Sequence, residues 1–343
     1  MQDRNKEVCF LFRSNKNKAF SIEELFRGIK KHLKDKSSIK PSNLTFAECE
    51  VPEPSNSIQN IIKNILFVSS LKSDIVHITG DIHYVLPFIS KKSRKILTIH
   101  DLAALERLKK YSFKYWIIKT FWYTLPIKYA DKITVISEKT KHELLKTVSI
   151  DNRKIEVVSN YVKPIFRHLP CGNDLLNKAN FLLVGGGLNK NTKRCLLALS
   201  NIPNVSVTLL GFFNADIYTI LDTLKIEHKT YTNISHEDVF TLYCNCDVVL
   251  FPSLYEGFGM PIIEGQAVGR PVITSNISPM SEIAGDGGCL VNPEEVDSIT
   301  AGILKVLNDT NYRKKLIEAG LQNVKKYDLE TISSQYLNIY KSV

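Results

Sequence analysis

Val248-Val249-Leu250-Phe251-Pro252-Ser253-Leu254-Tyr255-Glu256-Gly257-Phe258-Gly259-Met260-Pro261-Ile262-Ile263-Glu264 is the stretch from which the fold can be read. Its four leading apolar residues, two of them β-branched, predict a strand buried on both faces that ends at Phe251. Pro261 is a favoured first residue of a helix, so a glycine-rich turn joins that strand to a helix. Gly257 and Gly259 let the backbone approach a ligand closely, and the new helix points its unpaired N–H groups at the same place. That geometry binds phosphate or another oxyanion. Glu256 stands just before the turn and Glu264 in the first turn of the helix, so both carboxylates reach one pocket. A carboxylate facing vicinal hydroxyls accepts two hydrogen bonds, a grip suited to sugars and riboses. Alone, Glu264 would be read as compensation of a helix dipole. Beside Gly-Phe-Gly and Glu256, ligand binding takes precedence.

Outward from this segment, apolar runs alternate with helical stretches. Phe181–Val184, Val205–Leu210 and Pro271–Thr274 read as strands in the second half; Val8–Phe12, Ile75–Ile78, Ile96–Ile99, Ile133–Ile136 and Ile155–Val158 do so in the first. Short apolar strands with helical crossovers predict parallel sheets covered on both faces. Two such sets in 343 residues predict two α/β, doubly wound domains, with a boundary where Pro164, Pro170 and Cys171-Gly172-Asn173-Asp174 interrupt the pattern. In open parallel sheets ligands collect at the carboxyl ends of the strands, so one site enclosed by the two domains is expected.

Composition narrows the function classes. Hydrophobic residues make up 44% and charged ones 23%, which excludes disorder. No apolar run reaches the ~18–20 residues of a membrane span. The start passes from charges straight into Val8–Phe12, so a first strand is expected rather than a signal peptide, and the chain is placed in the cytoplasm. Seven scattered cysteines without a Cys-x-x-Cys pair suit that compartment; Cys244-Asn245-Cys246 lacks further ligands for a metal. Residues 1–170 carry 31 Lys and Arg against 17 Asp and Glu, whereas the remainder carries 14 against 18. The first half is therefore expected to meet something anionic.

The spacing of Glu256 and Glu264, with seven residues between them after Pro-Ser-Leu-Tyr, resembles the signature of the large retaining nucleotide-sugar glycosyltransferase family, family 4 (glycosyl transferases group 1). Glu264-Gly265-Gln266-Ala267-Val268-Gly269-Arg270-Pro271 and Glu282-Ile283-Ala284-Gly285-Asp286-Gly287-Gly288 are similar to it as well. The resemblance covers most of the chain. It implies a GT-B fold, two Rossmann-like domains facing each other across a cleft. Residues 1–163 would bind the acceptor, 164–322 the nucleotide-sugar, and 323–343 would form a terminal helix returning to the first domain. Tyr327, Leu329, Ile332, Tyr336 and Ile339 are the expected buried face of that helix.

The resemblance also implies roles. Glu264 would bind the donor ribose, and Glu256 would lie by the transferred sugar and support its developing positive charge. The backbone amides of Phe258, Gly259 and Met260 would meet sugar hydroxyls and diphosphate. Val184-Gly185-Gly186-Gly187-Leu188-Asn189-Lys190 is similar to the family's strand–loop–helix, with Gly187 in the donor loop and Lys190 neutralising the departing diphosphate. Asn189 departs from the family pattern, where an arginine is common; Lys193 or Arg194 could compensate or be solvated helix residues. His100, at a strand end before Asp101, would contact the donor sugar without acting as a base. Arg13, in the loop Arg13-Ser14-Asn15-Lys16-Asn17-Lys18 after the first strand, would border the diphosphate or be a solvated residue.

No Asp-x-Asp occurs, so no metal and no separate cofactor is expected; positive charge would come from lysine, arginine and helix ends. Leu105 to Tyr123 interleaves Lys109, Lys110, Lys114 and Lys119 with Tyr111, Phe113, Tyr115, Trp116, Phe121 and Trp122. It reads either as a helix packed on its sheet or as a segment lying in an anionic membrane interface, which would suit a saccharide or lipid-linked saccharide acceptor. The competing classes are an epimerase or phosphorylase of the same two-domain build, and a nucleic-acid-binding protein using the basic half. No nucleic-acid-binding motif supports the latter.

Overall fold

A computed structural model describes residues 5–17, 21–35, 43–106, 108–110, 112–170 and 178–343. Lys18, Tyr111 and Cys171-Gly172-Asn173-Asp174 lie outside the described residues. The chain divides into two compact units, one of Met1–Tyr161 with Leu329–Val343, the other of Val162–Asp328.

The first unit is built on strands β1 (Lys6–Phe12), β2 (Leu44–Glu50), β3 (Ile75–Ile78), β4 (Arg94–Ile99), β5 (Lys132–Val135) and β6 (Ile155–Val157), all parallel, in the order β2-β1-β3-β4-β5-β6. Successive side chains of a strand point to opposite faces, so each apolar run feeds two cores. Leu11, Val76, Ile78, Leu97, Ile99, Ile133 and Val135 pack on one face with Val68, Tyr123 and Ile127. Val8, Phe10, Phe12, Ile75 and Ile96 pack on the other with Phe26, Ile29 and Leu33. The terminal helix Leu329–Ser342 completes this second face with Ile332, Tyr336, Leu337, Ile339 and Tyr340. Tyr327 does not belong to that helix: it ends a 3-10 turn in the second unit, its ring 5.8 Å from that of Phe258.

The second unit contains β7 (Ala179–Val184), β8 (Val205–Leu210), β9 (Glu227–Tyr231), β10 (Val248–Phe251), β11 (Val272–Ser275) and β12 (Gly288–Val291) in the order β12-β11-β10-β7-β8-β9, again all parallel. This is the Rossmann strand order, and its direction of winding reverses between β7 and β10. In the first unit the reversal falls between β1 and β3. Each unit therefore has one predicted ligand position, at the carboxyl ends of those strand pairs. β2, β9 and β12, which go beyond the strands read from sequence, are all sheet edges.

The segment Leu105–Tyr123 is not one helix. A short turn of helix, Ala103–Glu106, is followed by Phe113–Ile118, which continues through a π-helical stretch, Lys119–Thr124, into Leu125–Tyr129. Tyr115, Ile118 and Trp122 lean on the core, while Phe113, Trp116, Ile117 and Phe121 are exposed.

A buried polar chain ties the terminal helix to the sheet. His77 Nδ1 lies 2.8 Å from the Tyr340 hydroxyl and Nε2 lies 2.7 Å from Thr98 Oγ1. Burial pushes the His77 pKa down to about 3 and that of His83 to about 4. Both values lie below the ordinary ~6.5 of an unfolded histidine, so the unfolded chain binds more protons between them. Stability should be full above about pH 6.5 and fall on acidification, by up to about 1.4 kcal/mol per pH unit for each histidine. Urea unfolding at pH 7 and pH 5 checks this; an unchanged midpoint would contradict it.

Candidate functional site

The second unit's switch point gathers the loops that follow β7 and β10. After β7 the chain runs through Gly185-Gly186-Gly187 into a 3-10 turn, Leu188–Lys190, and then the helix Thr192–Leu199. A Cβ on Gly186 would stand 1.7 Å from the Phe212 carbonyl oxygen, so only glycine lets the loop after β8 lie this close. Lys190 reaches over the Phe251 ring, 4.9 Å from its centroid, and its Nζ donates to Glu256 Oε1 at 2.6 Å. Asn189 Nδ2 donates to the Tyr255 carbonyl at 2.9 Å, and the Leu254 N–H donates to the Asn189 carbonyl at 2.8 Å. Asn189 is thus a clamp between the two loops.

Asn191, at φ 60°, is a further clamp that the sequence reading missed. Its buried amide donates to the carbonyls of Pro252 at 3.0 Å and Pro293 at 2.6 Å. Its only sequence signal is a helix-favouring cap residue before Thr192. Gly187, Lys193 and Arg194 line a neighbouring hollow of about 220 Å³, with Arg194 donating to Asn191 Oδ1 at 3.0 Å. Lys190 does not line that hollow, so Lys193 and Arg194 serve a different part of the surface.

Beyond Glu256 the turn closes at Gly259, whose φ of +114° is costly for any residue with a Cβ, and the helix Met260–Val268 begins. The N–H groups of Phe258, Gly259 and Met260 are engaged by no carbonyl or side chain among the described residues. The Phe258 ring is buried against Tyr327. Glu264 lies one turn further into the helix than expected. Burial raises its pKa, while the Tyr243 hydroxyl donates to Oε2 at 2.6 Å and favours the ionised form. Lys163 and His236 add positive potential there. Oε1 has no partner among the described residues, which leaves a fixed, half-buried acceptor. Tyr243 was not foreseen; it sits on a polar amphipathic helix, and only its burial demands a partner.

In the first unit, the carboxyl ends of β1, β3 and β4 bring Arg13 and His100 into one polar cluster. Arg13 is neither solvated nor isolated: its guanidinium forks onto buried Glu23, Nε to Oε1 at 2.7 Å and Nη2 to Oε2 at 2.9 Å. Its Nη1 lies 3.5 Å from Asp81 Oδ1. The hydrogen bond from Arg13 to Glu23 raises the guanidinium pKa. His100 Nε2 lies 2.8 Å from the Thr79 carbonyl oxygen. A carbonyl only accepts, so Nε2 carries the proton; burial lowers the His100 pKa, leaving a neutral ring with Nδ1 as acceptor.

A family model described as "Glycosyl transferases group 1" matches residues 190–323, and one described as "Glycosyltransferase Family 4" matches residues 45–164. O-antigen chain mannosyltransferase B of Escherichia coli is 38% identical over 108 residues, which span 32% of this chain and 28% of that protein. The capsular polysaccharide biosynthesis glycosyltransferase CapM of Staphylococcus aureus is 24% identical over 313 residues, 84% of this chain and 81% of CapM. The crystal structure of Anabaena HepE in complex with UDP and glucose superposes with a TM-score of 0.77 at 16% identity, covering 99% of this chain and all of that one. This last likeness shows the fold, two Rossmann-like domains of the GT-B type.

Proposed function

We propose that this chain, which belongs to the group 1 glycosyltransferases of GT-B fold, moves a hexose or related sugar from a nucleoside diphosphate to an acceptor hydroxyl in polysaccharide or glycolipid assembly. The observation that carries this reading is the junction of β7 and β10. There a lysine held against a carboxylate, a run of unengaged amides and a half-buried carboxylate acceptor meet at one switch point. Amides and Lys190 suit a diphosphate, and Glu264 Oε1 suits a ribose hydroxyl. Glu256 stays close to Lys190 and supports charge on the sugar. His100 offers Nδ1 to a sugar hydroxyl.

Retention of the anomeric configuration is carried over from the family resemblance; transfer needs no metal, because Lys190 and the helix N-terminus supply the positive charge. The departing phosphate takes the acceptor proton. A thermal-shift screen of UDP-, GDP-, ADP- and dTDP-sugars identifies the donor, since a specific ligand stabilises the folded state. Product analysis then tests the reaction: a new glycoside, formed only with acceptor and undiminished by EDTA, is expected. Release of free nucleotide with sugar isomerised and no glycoside formed would replace transfer by epimerisation.

Among the described residues no helix is long and apolar enough to cross a membrane. Peripheral association instead is supported by the exposed Phe113, Trp116, Ile117 and Phe121 beside Lys114 and Lys119, and by a second apolar row, Ile58, Ile62 and Leu66, on the helix Ile58–Ser69. Such a surface suits a saccharide or lipid-linked saccharide acceptor. Replacing Lys109, Lys110 and Lys114 with Gln should abolish sedimentation with anionic liposomes; unchanged sedimentation would remove membrane association from this reading.

A further inference from the structure

We propose a second anion site, for a phosphate or diphosphate group, at the amino-terminal edge of the first unit's sheet. A cavity of about 510 Å³ there is lined by the cations Lys91, Lys92, Arg94 and Lys95, with Asp131 and Tyr129. It lies at the start of β4, whereas His100 follows the end of β4, roughly 17 Å away along the strand at ~3.3 Å per residue. The site is therefore separate from the polar cluster around Arg13 and His100.

Lys95 gives the cavity its meaning. It alternates onto the same face as Leu97 and Ile99, under the end of the helix Leu125–Tyr129, and only 6% of its surface is exposed. Its ammonium makes no hydrogen bond or ion pair with any described residue. The one carboxylate lining the cavity is already spoken for: Asp131 Oδ1 accepts from Arg94 Nη1 at 2.9 Å, and Oδ2 accepts from the Lys95 backbone N–H at 2.8 Å. Burial accordingly lowers the Lys95 pKa despite the nearby Asp131. A bound anion would give this ammonium the partner that the described residues do not. Lys91 and Lys92, in the turn before β4, extend the positive field to the cavity mouth. Sulfate-sized and larger phosphate groups fit the volume, and both a soluble phosphate and a phospholipid headgroup present that chemistry.

The test uses the full chain and two probes. Inorganic pyrophosphate is titrated by calorimetry, and flotation compares phosphatidylcholine vesicles with and without phosphatidic acid. Lys95→Met keeps the aliphatic stem, and Lys92→Gln changes an exposed residue that carries no burden in the fold. Each should weaken one probe by about tenfold, the value of one charge-assisted hydrogen bond. Lys190→Met should leave that component intact, which separates this site from the donor loop. Loss of pyrophosphate binding assigns a soluble anion, and loss of the phosphatidic acid dependence assigns a headgroup. If neither variant changes either probe, the site does not exist, and the proposed donor function is untouched.

Discussion

Lys190→Met should lower kcat by about 10²–10³-fold while changing the donor KM by much less, the effect expected on removing one preorganised electrostatic group from a site where charge develops. In the ground state the diphosphate's charge is shared along both phosphates and screened by water. As the bond to the sugar breaks, charge concentrates on the leaving oxygen, and a fixed cation acts on that difference. The Nζ is fixed: it is held 2.6 Å from Glu256 and above the Phe251 ring, with most of its side chain covered. Glu256→Gln should also lower kcat, because the neutral amide no longer supports positive charge on the sugar or orients Nζ. The double variant should lose less than the product of the two single losses, since the two residues form one contact. Lys190→Arg, which keeps the charge, should recover part of the rate and excludes simple unfolding as the cause. A rise in KM with kcat unchanged would make Lys190 a ground-state anchor and return the catalytic role to the helix amides.

How far these residues were legible in sequence follows from where they sit. Central strands such as β3 and β10 are buried from end to end, so Ile75–Ile78 and Val248–Phe251 announce themselves as apolar runs. The strands not read, Leu44–Glu50, Glu227–Tyr231 and Gly288–Val291, are sheet edges. Glu-His-Lys-Thr-Tyr in β9 is half solvated and held mainly by its ladder to β8. An edge strand's pairing lies in its partner, and no property of its own residues records it. The functional residues divide the same way. Glu256, Gly259 and Lys190 stand in local patterns whose backbone geometry has a chemical use. Tyr243, Glu23 and Asn191 act through contacts 21, 10 and 61 residues away in the chain, and a single sequence carries no trace of such pairing. Arg13 shows the cost of this blindness: a residue read as ligand-facing or solvated is held by a buried carboxylate within a helix that otherwise reads as amphipathic.

Glu264→Ala should weaken donor or nucleoside-diphosphate binding by about 10–100-fold, the loss of a charge-assisted hydrogen bond or two to vicinal hydroxyls, with kcat at saturation little changed. The carboxylate is useful when it is both half-buried and ionised, two conditions that oppose each other. Burial favours the protonated acid, and the hydrogen bond from Tyr243 and the charges of Lys163 and His236 pull it back. Tyr243→Phe removes the largest of these opposing influences, so the Glu264 pKa should rise further. Affinity is full above that pKa and is lost as pH falls through it. The loss should therefore set in at a higher pH in Tyr243→Phe than in the unaltered chain, a shift that a purely structural tyrosine would not produce. Glu264→Gln separates charge from shape, since the amide still fills the space and accepts from Tyr243 but donates where the carboxylate would accept. It should bind donor nearly as poorly as Glu264→Ala while unfolding at a higher temperature, because Glu264→Ala leaves the buried Tyr243 hydroxyl without its acceptor. Calorimetric titration of nucleoside diphosphate from pH 5 to pH 8 reads the affinities, and scanning calorimetry reads the unfolding temperatures. Wild-type affinity in Glu264→Ala would place the ribose elsewhere and leave this carboxylate a partner for Tyr243 alone.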